Sequence, residues 1–320
     1  MPYNNILSRS DTAALVPEEV ANDMLGHVAT QTSATLQTFR RVPVASGQVR
    51  FPILSALPVA YWVAGDTGLK QTTEEQWSNK FLNIEEMAVI VPVPENVLDD
   101  VSDEGGFDLW GEVQPDVEIA IGRTLDDSTF FGVNAPATFP TNVAAACAAL
   151  SPANSYTEAG TQAEGGIQDD IDACIALLEP QGFDPSHIVA NRTLRSKLRR
   201  ARSTIGERLS GVNADISEYL DLGIVYPMRG LFPTGASRVE AFVGDFSEFV
   251  VGVRKDVSFK LLDQAVIQDG AGNIVYNLAQ QDMVAMRFTF RVGWQVSNRI
   301  RYDQPDETKR YPVATLVSPT

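Results

Sequence analysis

Five carboxylates within ten residues form the densest group of possible metal ligands in this chain. They are Asp99, Asp100, Asp103, Glu104 and Asp108. Carboxylate oxygens suit a hard cation such as calcium. Their spacing does not follow an EF-hand, however, and acidic side chains are also favoured as caps and in the first turns of helices. We therefore predict no metal site here, nor at Asp169, Asp170 and Asp172, which fall in the first turn of another predicted helix.

The residues that most often carry catalysis are sparse and scattered. The two histidines are His27 and His187, and neither accompanies a serine or cysteine nucleophile in a recognisable motif. Cys147 and Cys174 do not form a CxxC pair, which argues against a zinc site or a disulfide framework. The sequence contains no Walker loop, HExxH motif or dinucleotide fingerprint. We predict that the protein is not an enzyme and has no cofactor, and an unrecognised hydrolase remains an alternative.

Basic residues are concentrated in one short segment. Six of the 25 lysines and arginines lie within eleven positions: Arg192, Arg195, Lys197, Arg199, Arg200 and Arg202. Such a segment could contact nucleic acid, pair with acidic groups on a neighbouring subunit, or be a solvated helical face. Because the chain is strongly acidic overall, we expect Arg199 and Arg200 to contact a neighbouring subunit.

Composition places the chain among ordinary folded proteins. Its 320 residues are 44% hydrophobic and 21% charged, enough for a substantial core. The net charge of −16 argues against tight binding to nucleic acid, because such proteins neutralise phosphates with lysine and arginine. The chain has no apolar run near the roughly 20 residues of a membrane helix, and no signal sequence is recognisable. We expect a cytoplasmic origin and no membrane partner.

The element that bears most on function is a predicted β-ribbon. Two runs rich in β-branched and aromatic residues, Gln48–Val63 and Gln76–Pro94, flank a polar tip at residues 64–75. An isolated two-stranded ribbon is marginal in water, so its apolar faces need a cover. We predict that a neighbouring copy supplies that cover. The expected contact residues on this loop are Trp62, Lys70, Glu74, Glu75, Trp77 and Phe81.

The remaining elements alternate between helices and strands, which indicates an α+β fold. Predicted helices cover Pro17–Leu25, Phe107 to about Phe131 with Pro115 inside, Ile167–Leu178 and Thr193–Arg202. Predicted strands cover His187–Asn191, Gly223–Pro227, Arg238–Val243, Phe249–Val253, Val257–Leu262 and Val284–Trp294. Asp269–Asn273 is predicted to be a hairpin turn. Thr30–Thr38 is expected to be extended, residues 135–166 to be a loop, and residues 303–320 to be a polar tail.

Four phrases and the order of these elements resemble one family. The phrases are Trp62-Val-Ala-Gly-Asp-Thr-Gly, the run from Met87 to Asp100, Asp126-Asp-Ser-Thr-Phe-Phe-Gly, and Phe242-Val-Gly-Asp-Phe-Ser-Glu-Phe with the later Val253-Arg-Lys. In sequence and order they are similar to the major capsid proteins of tailed bacteriophages, which have the Hong Kong 97-like fold. The resemblance covers nearly the whole chain.

The resemblance implies a domain organisation and a function. Residues 1–45 would be an N-terminal arm, 46–86 an extended loop and 87–140 a peripheral domain with a long spine helix. Residues 141–280 would be an axial domain, and 281–320 would return to the peripheral domain and form the C-terminal tail. The subunit would assemble into pentamers and hexamers of an icosahedral virion shell around double-stranded DNA, contacted non-specifically. Assembly would take place in the bacterial cytoplasm.

Further partners and one alternative follow from the same resemblance. Some members begin with a scaffolding segment. Here the extended loop starts near residue 46, so we expect a separate scaffold protein or none, together with a portal and possibly decoration proteins. Some members also link a loop lysine to an asparagine of a neighbour. Lys70, Lys80 and Asn298 do not make a secure set, so we expect no covalent links. An encapsulin-type nanocompartment shell has the same fold and is the alternative.

Overall fold

The computed structural model describes residues 33–63, 70, 72–99, 109–159, 166–201, 218–219, 221–227, 230–235 and 238–319. The predicted helix over Pro17–Leu25 lies outside these residues. The structure contains both helices and strands in mixed order, which confirms the α+β prediction.

The strands are β1 (Arg40–Pro43), β2 (Gln48–Ala56), β3 (Gln76–Asn83), β4 (Glu85–Pro94), β5 (Ser155–Thr157), β6 (His187–Ala190), β7 (Glu218–Tyr219), β8 (Leu222–Val225), β9 (Val239–Gly244), β10 (Phe249–Leu262), β11 (Val266–Gln268), β12 (Ile274–Asn277), β13 (Met283–Val296) and β14 (Val313–Val317). The helices are α1 (Ala34–Thr38), α2 (95–99), α3 (Leu109–Asp126), α4 (Val143–Ala149), α5 (Ile167–Leu178) and α6 (Arg192–Arg200). A π-helical turn, Asp127–Phe131, extends α3 to Gly132, which has a positive φ of 71°.

The chain divides into two structural units. The first contains Glu85–Ile121 and Arg254–Val292. In it β4 pairs antiparallel with β13, from Met283 opposite Pro94 to Val292 opposite Glu85. Alternate residues of β13 are buried, as the sequence predicted: Met286, Phe288, Phe290 and Val292. The β11–β12 hairpin turns at Asp269–Asn273, also as predicted.

The second unit contains Thr32–Ile84, Gly122–Val253 and Gly293–Thr320. Its six-stranded sheet has the order β5-β14-β9-β6-β8-β7. Helices α5 and α6 contribute Ile171, Leu178, Leu194 and Leu198 to the core that includes residues of this sheet. A second apolar cluster consists of aromatic rings in contact with Phe39, which lie 4.7 to 6.3 Å from its ring: Phe130, Phe246, Phe249 and Trp294.

Several local predictions were wrong, and tertiary contacts explain them. The predicted polar tail contains the buried strand β14, which pairs with β5 on one side and β9 on the other. β14 therefore belongs to the six-stranded sheet. The predicted domain division had placed residues 281–320 in the peripheral domain and the C-terminal tail. The predicted loop 135–166 contains α4, capped by Asn142, and β5. The two strands predicted over 249–262 form the single strand β10.

The N-terminal segment Thr30–Thr38 was predicted to be extended, but residues 34–38 form helix α1. The reason is a distant partner, Asp126 at the end of α3. Its carboxylate accepts hydrogen bonds from the Ser33 hydroxyl and from the backbone N–H groups of Ala34 (2.9 Å) and Thr35 (2.9 Å). These N–H groups would otherwise lack partners in the first turn of the helix. Burial raises the pKa of Asp126, which is 2% exposed, against the lowering effect of these bonds.

The substitution Asp126→Ala is expected to destabilise the protein, because it leaves buried donors at Ser33, Ala34 and Thr35 without an acceptor. We expect the free energy of unfolding to fall by about 1–3 kcal/mol. The free energy of unfolding of Asp126→Asn should lie between those of the wild type and Asp126→Ala, since the amide retains one acceptor oxygen. Urea denaturation of unassembled subunits measures the change. The control is Asp116→Ala on the exposed face of α3, and a loss equal to that of the control would contradict the prediction.

Candidate subunit-contact surfaces

The predicted ribbon is present, but it is shorter than its sequence pattern suggests. Strands β2 and β3 pair antiparallel from Gln48 opposite Asn83 to Ala56 opposite Gln76. Residues 57–63 continue without strand structure, and the second run divides at Ile84, because β4 leaves the hairpin to pair with β13. Residues 64–69 and 71 of the predicted tip lie outside the described part of the chain.

The side chains of the hairpin differ in exposure between its two faces. On one face, Leu82 is completely buried and Ile53 is 8% exposed. The expectation that the whole apolar surface lacks cover within the subunit was therefore wrong for these two residues. Trp62 is fully exposed, Trp77 is 63% exposed and Phe81 is 47% exposed. Aromatic side chains of this size contribute most when they are buried, so the exposed face with Trp77 and Phe81, together with Trp62 beyond the strands, resembles an unoccupied contact surface.

Polar contacts fix the base of the hairpin to its own structural unit. Lys80 forms an ion pair with Glu307 at 2.8 Å, and the Gln295 side chain donates to the Phe81 carbonyl at 2.8 Å. Close backbone packing adds a steric requirement at Gly293, where a Cβ would lie 1.9 Å from the Asn83 carbonyl oxygen. Only glycine avoids this clash. The base is therefore held firmly, while the distal aromatic side chains have no such cover.

The basic helix α6 spans Arg192–Arg200, close to the prediction, and its charges serve two roles. Lys197 pairs within the chain with Glu158 (2.5 Å) and with Glu240 (2.6 Å), which is 1% exposed. Partial burial alone would lower the pKa of Lys197, but these two hydrogen bonds raise it. Arg199 and Arg200 lie on the exposed side of the helix. Lys197 is thus a structural residue, and the two arginines remain candidates for an external contact.

The other predicted contact residues also lie at the surface. Lys70, Glu74 and Glu75 are exposed and belong to no strand. Among the candidates for covalent linkage, Asn298 is 5% exposed and its amide donates to the Arg310 carbonyl at 3.2 Å. The predicted contacts of all these residues with a neighbouring subunit stay predictions.

Two features of the surface were not predicted from the sequence. In the first structural unit, large apolar side chains are exposed on three strands: Phe259, Leu261, Val266 and Ile274. The alternation of Phe259 and Leu261 along β10 was a usable signal. In the second unit, the buried carboxylate of Glu248 accepts hydrogen bonds from Ser297, from Arg299 at 3.0 Å and from Arg301 at 3.0 Å. No local pattern indicates this cluster, because Glu248 is about 50 residues from Ser297, Arg299 and Arg301 in the chain.

The described titratable side chains that the sequence singled out lie apart from one another or in structural roles. Within the described ranges, no group of three or more His, Cys, Asp or Glu side chains could hold a metal ion. Most of the carboxylate group at 99–108 lies outside these ranges. Asp170 accepts a hydrogen bond from the Ala159 N–H at 3.0 Å. Cys147 and Cys174 are buried and free, and burial raises the pKa of Cys174 to about 12. No helix in the described residues is long and apolar enough to cross a bilayer.

The anchored hairpin with its exposed aromatic side chains gives this α+β protein a surface suited to contact with another protein chain. The model of the phage capsid family matches residues 12–299. A "Major capsid protein" of Staphylococcus phage 80alpha is 23% identical over 300 residues, which cover 92% of this chain and 86% of that protein.

Solved structures give the same result. A chain from Microbacterium phage Oxtober96 is 33% identical, with a TM-score of 0.80 over 98% of this chain and 100% of that chain. A chain from Mycobacterium phage Bobi is 29% identical, with a TM-score of 0.79 over 99% of this chain and 100% of that chain.

The chain belongs to the phage capsid family. It has the Hong Kong 97-like fold and the structural role of a major capsid protein, a component of the virion shell. The resemblance stated from the sequence is confirmed. The encapsulin alternative is not favoured by these comparisons. Membership of a structural family also gives no support to a hydrolase.

The Glu248 cluster generates a prediction about pH. Burial by itself would raise the pKa of Glu248, but Ser297, Arg299 and Arg301 hold it below the usual value of 4.5. A lowered pKa in the folded state means that the ionised cluster stabilises the protein above pH ~4.5 and loses this effect as the pH falls further. Glu248→Gln should therefore lower the free energy of unfolding by roughly 2 kcal/mol at pH 7 and by less near pH 3.5.

Urea denaturation at the two pH values measures this difference. The matched control is Glu86→Gln, because Glu86 pairs with Arg291 at the surface, where both side chains are 42% exposed. An exposed pair contributes less than about 1 kcal/mol. A Glu248→Gln effect that is independent of pH would show that the cluster does not stabilise the protein through its charge.

Proposed function

We propose that this capsid protein assembles into pentamers and hexamers of an icosahedral shell that encloses double-stranded DNA. The observation that supports this proposal is the hairpin of β2 and β3. Its base is fixed by Lys80 and Gln295, whereas Trp62, Trp77 and Phe81 are exposed. A protein selected to remain a monomer would expose fewer such side chains in one hairpin.

Closed rings require each copy to present one patch to a different patch of its neighbour. A hairpin that extends from its own subunit meets this requirement. In our proposal, residues 46–86 lie over a neighbouring subunit and bury the exposed aromatic side chains there. Burial contributes about 25 cal/mol per Å² of apolar area. Many such contacts around a closed shell make the assembly far stronger than one pair of subunits.

We assign the parts of the chain as follows. Residues 1–45 form the N-terminal arm, 46–86 the extended loop, 87–140 the peripheral domain with α3 as its spine, and 141–280 the axial domain. Residues 281–320 return to the peripheral domain and form the tail, except that β14 joins the sheet of β5, β9, β6, β8 and β7. We therefore place residues 313–317 with the axial domain.

The proposed partners follow from the shell and from the charge of the protein. A subunit with a net charge of −16 would repel packaged DNA and let it slide, with only non-specific contacts. We further propose a portal and a separate scaffold protein, possible decoration proteins, and assembly in the bacterial cytoplasm. The chain acts without a cofactor and without catalysis.

The test is a pair of substitutions in the hairpin. Trp62→Ala and Trp77→Ala together remove the largest exposed apolar area of the extended loop. We therefore expect the subunits to fold, but shell formation to be lost or to need at least tenfold higher protein concentration. Electron microscopy and sedimentation measure assembly, and circular dichroism checks folding. The matched control is Tyr302→Ala, an aromatic residue that is 76% exposed and lies outside the hairpin. Normal shells from the double variant would contradict the proposed role of the hairpin.

A second prediction concerns the exposed arginines of α6. If Arg199 and Arg200 pair with acidic groups of an adjacent subunit, replacing both by glutamate places like charges together at an interface. Such a contact can cost several kcal/mol, roughly 3 or more. The subunits should fold normally, since exposed helix charges contribute little to stability, but should not form shells.

The control for this second prediction is Lys260→Glu with Arg287→Glu, which changes the net charge equally at two exposed strand positions. Assembly is measured by sedimentation at two salt concentrations. Shells from the Arg199→Glu, Arg200→Glu protein that match those of the control would show that the cluster is a solvated helical face.

A further inference from the structure

A cleft of about 140 Å³ lies beside the base of the hairpin, within the second structural unit. One wall is formed by the hairpin residues Phe51, Pro52 and Lys80, and another by Arg40 and Arg299. None of the residues that line it is acidic. In a protein with a net charge of −16, a cleft whose lining contains three cationic residues and no anionic one calls for an explanation.

The cations of this cleft are only partly neutralised. Lys80 pairs with Glu307, and Arg299 uses Nε and Nη2 to bind Glu248. Arg299 remains 63% exposed in its side chain, and its Nη1 has no acceptor among the described residues. The guanidinium of Arg40 is exposed and has no hydrogen bond or ion pair with any residue that the structure describes. Two guanidinium groups can therefore still bind an anionic group.

The polar residues of the lining other than these cations are occupied. The Gln295 amide donates to the Phe81 carbonyl, the Ser297 hydroxyl donates to Glu248, and the Ser247 hydroxyl donates to Asp245. The unoccupied charged donors of the lining thus belong to Arg40, Arg299 and Lys80, and the fork geometry of arginine matches a carboxylate. The apolar side chains of Phe51, Pro52 and Val250 reduce the access of water to such a pair, and lower hydration strengthens the attraction between charges.

The chain itself carries a suitable carboxylate pair in the same hairpin. Glu74 and Glu75 are adjacent, exposed and lie just beyond the paired part of β3. They do not line the cleft of their own chain. Lys80 follows Glu75 by five positions, and an extended strand advances about 3.3 Å per residue, so roughly 17 Å separates their Cα atoms. The hairpin carries these carboxylates away from its own base and toward whatever covers its distal part.

We propose that this cleft is the receptor for the Glu74 and Glu75 carboxylates of a second copy of the chain. Arg40 and the free edge of Arg299 bind them, while the aromatic residues of the arriving hairpin pack beside the cleft. The inference rests on the proposed function, because it requires the hairpin to lie over a neighbour. It adds the identity of the partner surface, and it makes each subunit both a donor and an acceptor of the same contact.

A charge exchange tests the pairing. Arg40→Glu should raise the protein concentration needed for shell formation at least tenfold, and so should Glu74→Arg with Glu75→Arg. When all three substitutions are combined in one chain, the sign at position 40 is exchanged while Arg299 keeps its charge. We therefore expect shell formation to recover partly, at a concentration well below that needed by either variant alone. Circular dichroism and size-exclusion chromatography establish that each variant is folded before assembly is measured by light scattering and electron microscopy.

The matched control is Glu74→Arg and Glu75→Arg combined with Arg287→Glu. It has the same net charge as the rescued protein, but Arg287 does not line the cleft, so this variant should not regain assembly. If Arg40→Glu impairs assembly while the Glu74, Glu75 reversal does not, the cleft binds another group, such as a free anion, and the inference is overturned. Failure of the triple variant to regain assembly overturns it as well.

These outcomes separate the inference from the function on which it rests. If the wild type forms shells and the Arg40→Glu variant and the Glu74→Arg, Glu75→Arg variant form them equally well, the pairing is overturned while the proposed shell assembly stands. Wild-type protein that stays monomeric at all concentrations would overturn the proposed assembly, and the pairing with it.

Discussion

The constraint on which the rest of this molecule depends is that the subunit buries only part of its two-stranded hairpin. On one face Leu82 and Ile53 enter the core, and Lys80 pairs with Glu307 near the base. Among the described strands, β2 and β3 pair only with each other, and Trp62 and Trp77 are exposed. The same element is therefore rigid where it leaves the subunit and unsatisfied where it extends, which is the physical condition for a contact with another copy.

The base of the hairpin remains firm because the chain approaches itself closely there. Gly293 allows β13 to pass against the Asn83 carbonyl, and Gly252 lies against Leu82 at a distance that a side chain would not permit. The buried carboxylate of Glu248 in this unit is paired with Arg299 and Arg301. Charges removed from water are costly unless they are paired. The anchored end thus combines tight packing with a paired buried carboxylate.

Electrostatic interactions act at long range and at short range in this protein, with different effects. The net charge of −16 acts at long range and suits a surface that does not retain nucleic acid. At short range, local pairs decide the structure, as in Lys197 between Glu158 and Glu240. The cationic cleft around Arg40 is an exception to the acidic average, and such exceptions give specificity to contacts between copies. An acidic subunit that assembles with itself needs a few such complementary sites to overcome the general repulsion.

The sequence by itself determined the elements whose own patterns carry enough information. The spacing of apolar residues determined α3, α5 and β13, and the composition of the two runs determined the hairpin. Phrases spread along the chain also indicated the family. Only the tertiary structure decided α1, because its capping carboxylate, Asp126, is 92 residues from Ala34. It likewise decided the burial of β14 and the Glu248 cluster, since their partners come from distant segments, and a local sequence pattern contains no information about which distant groups will meet.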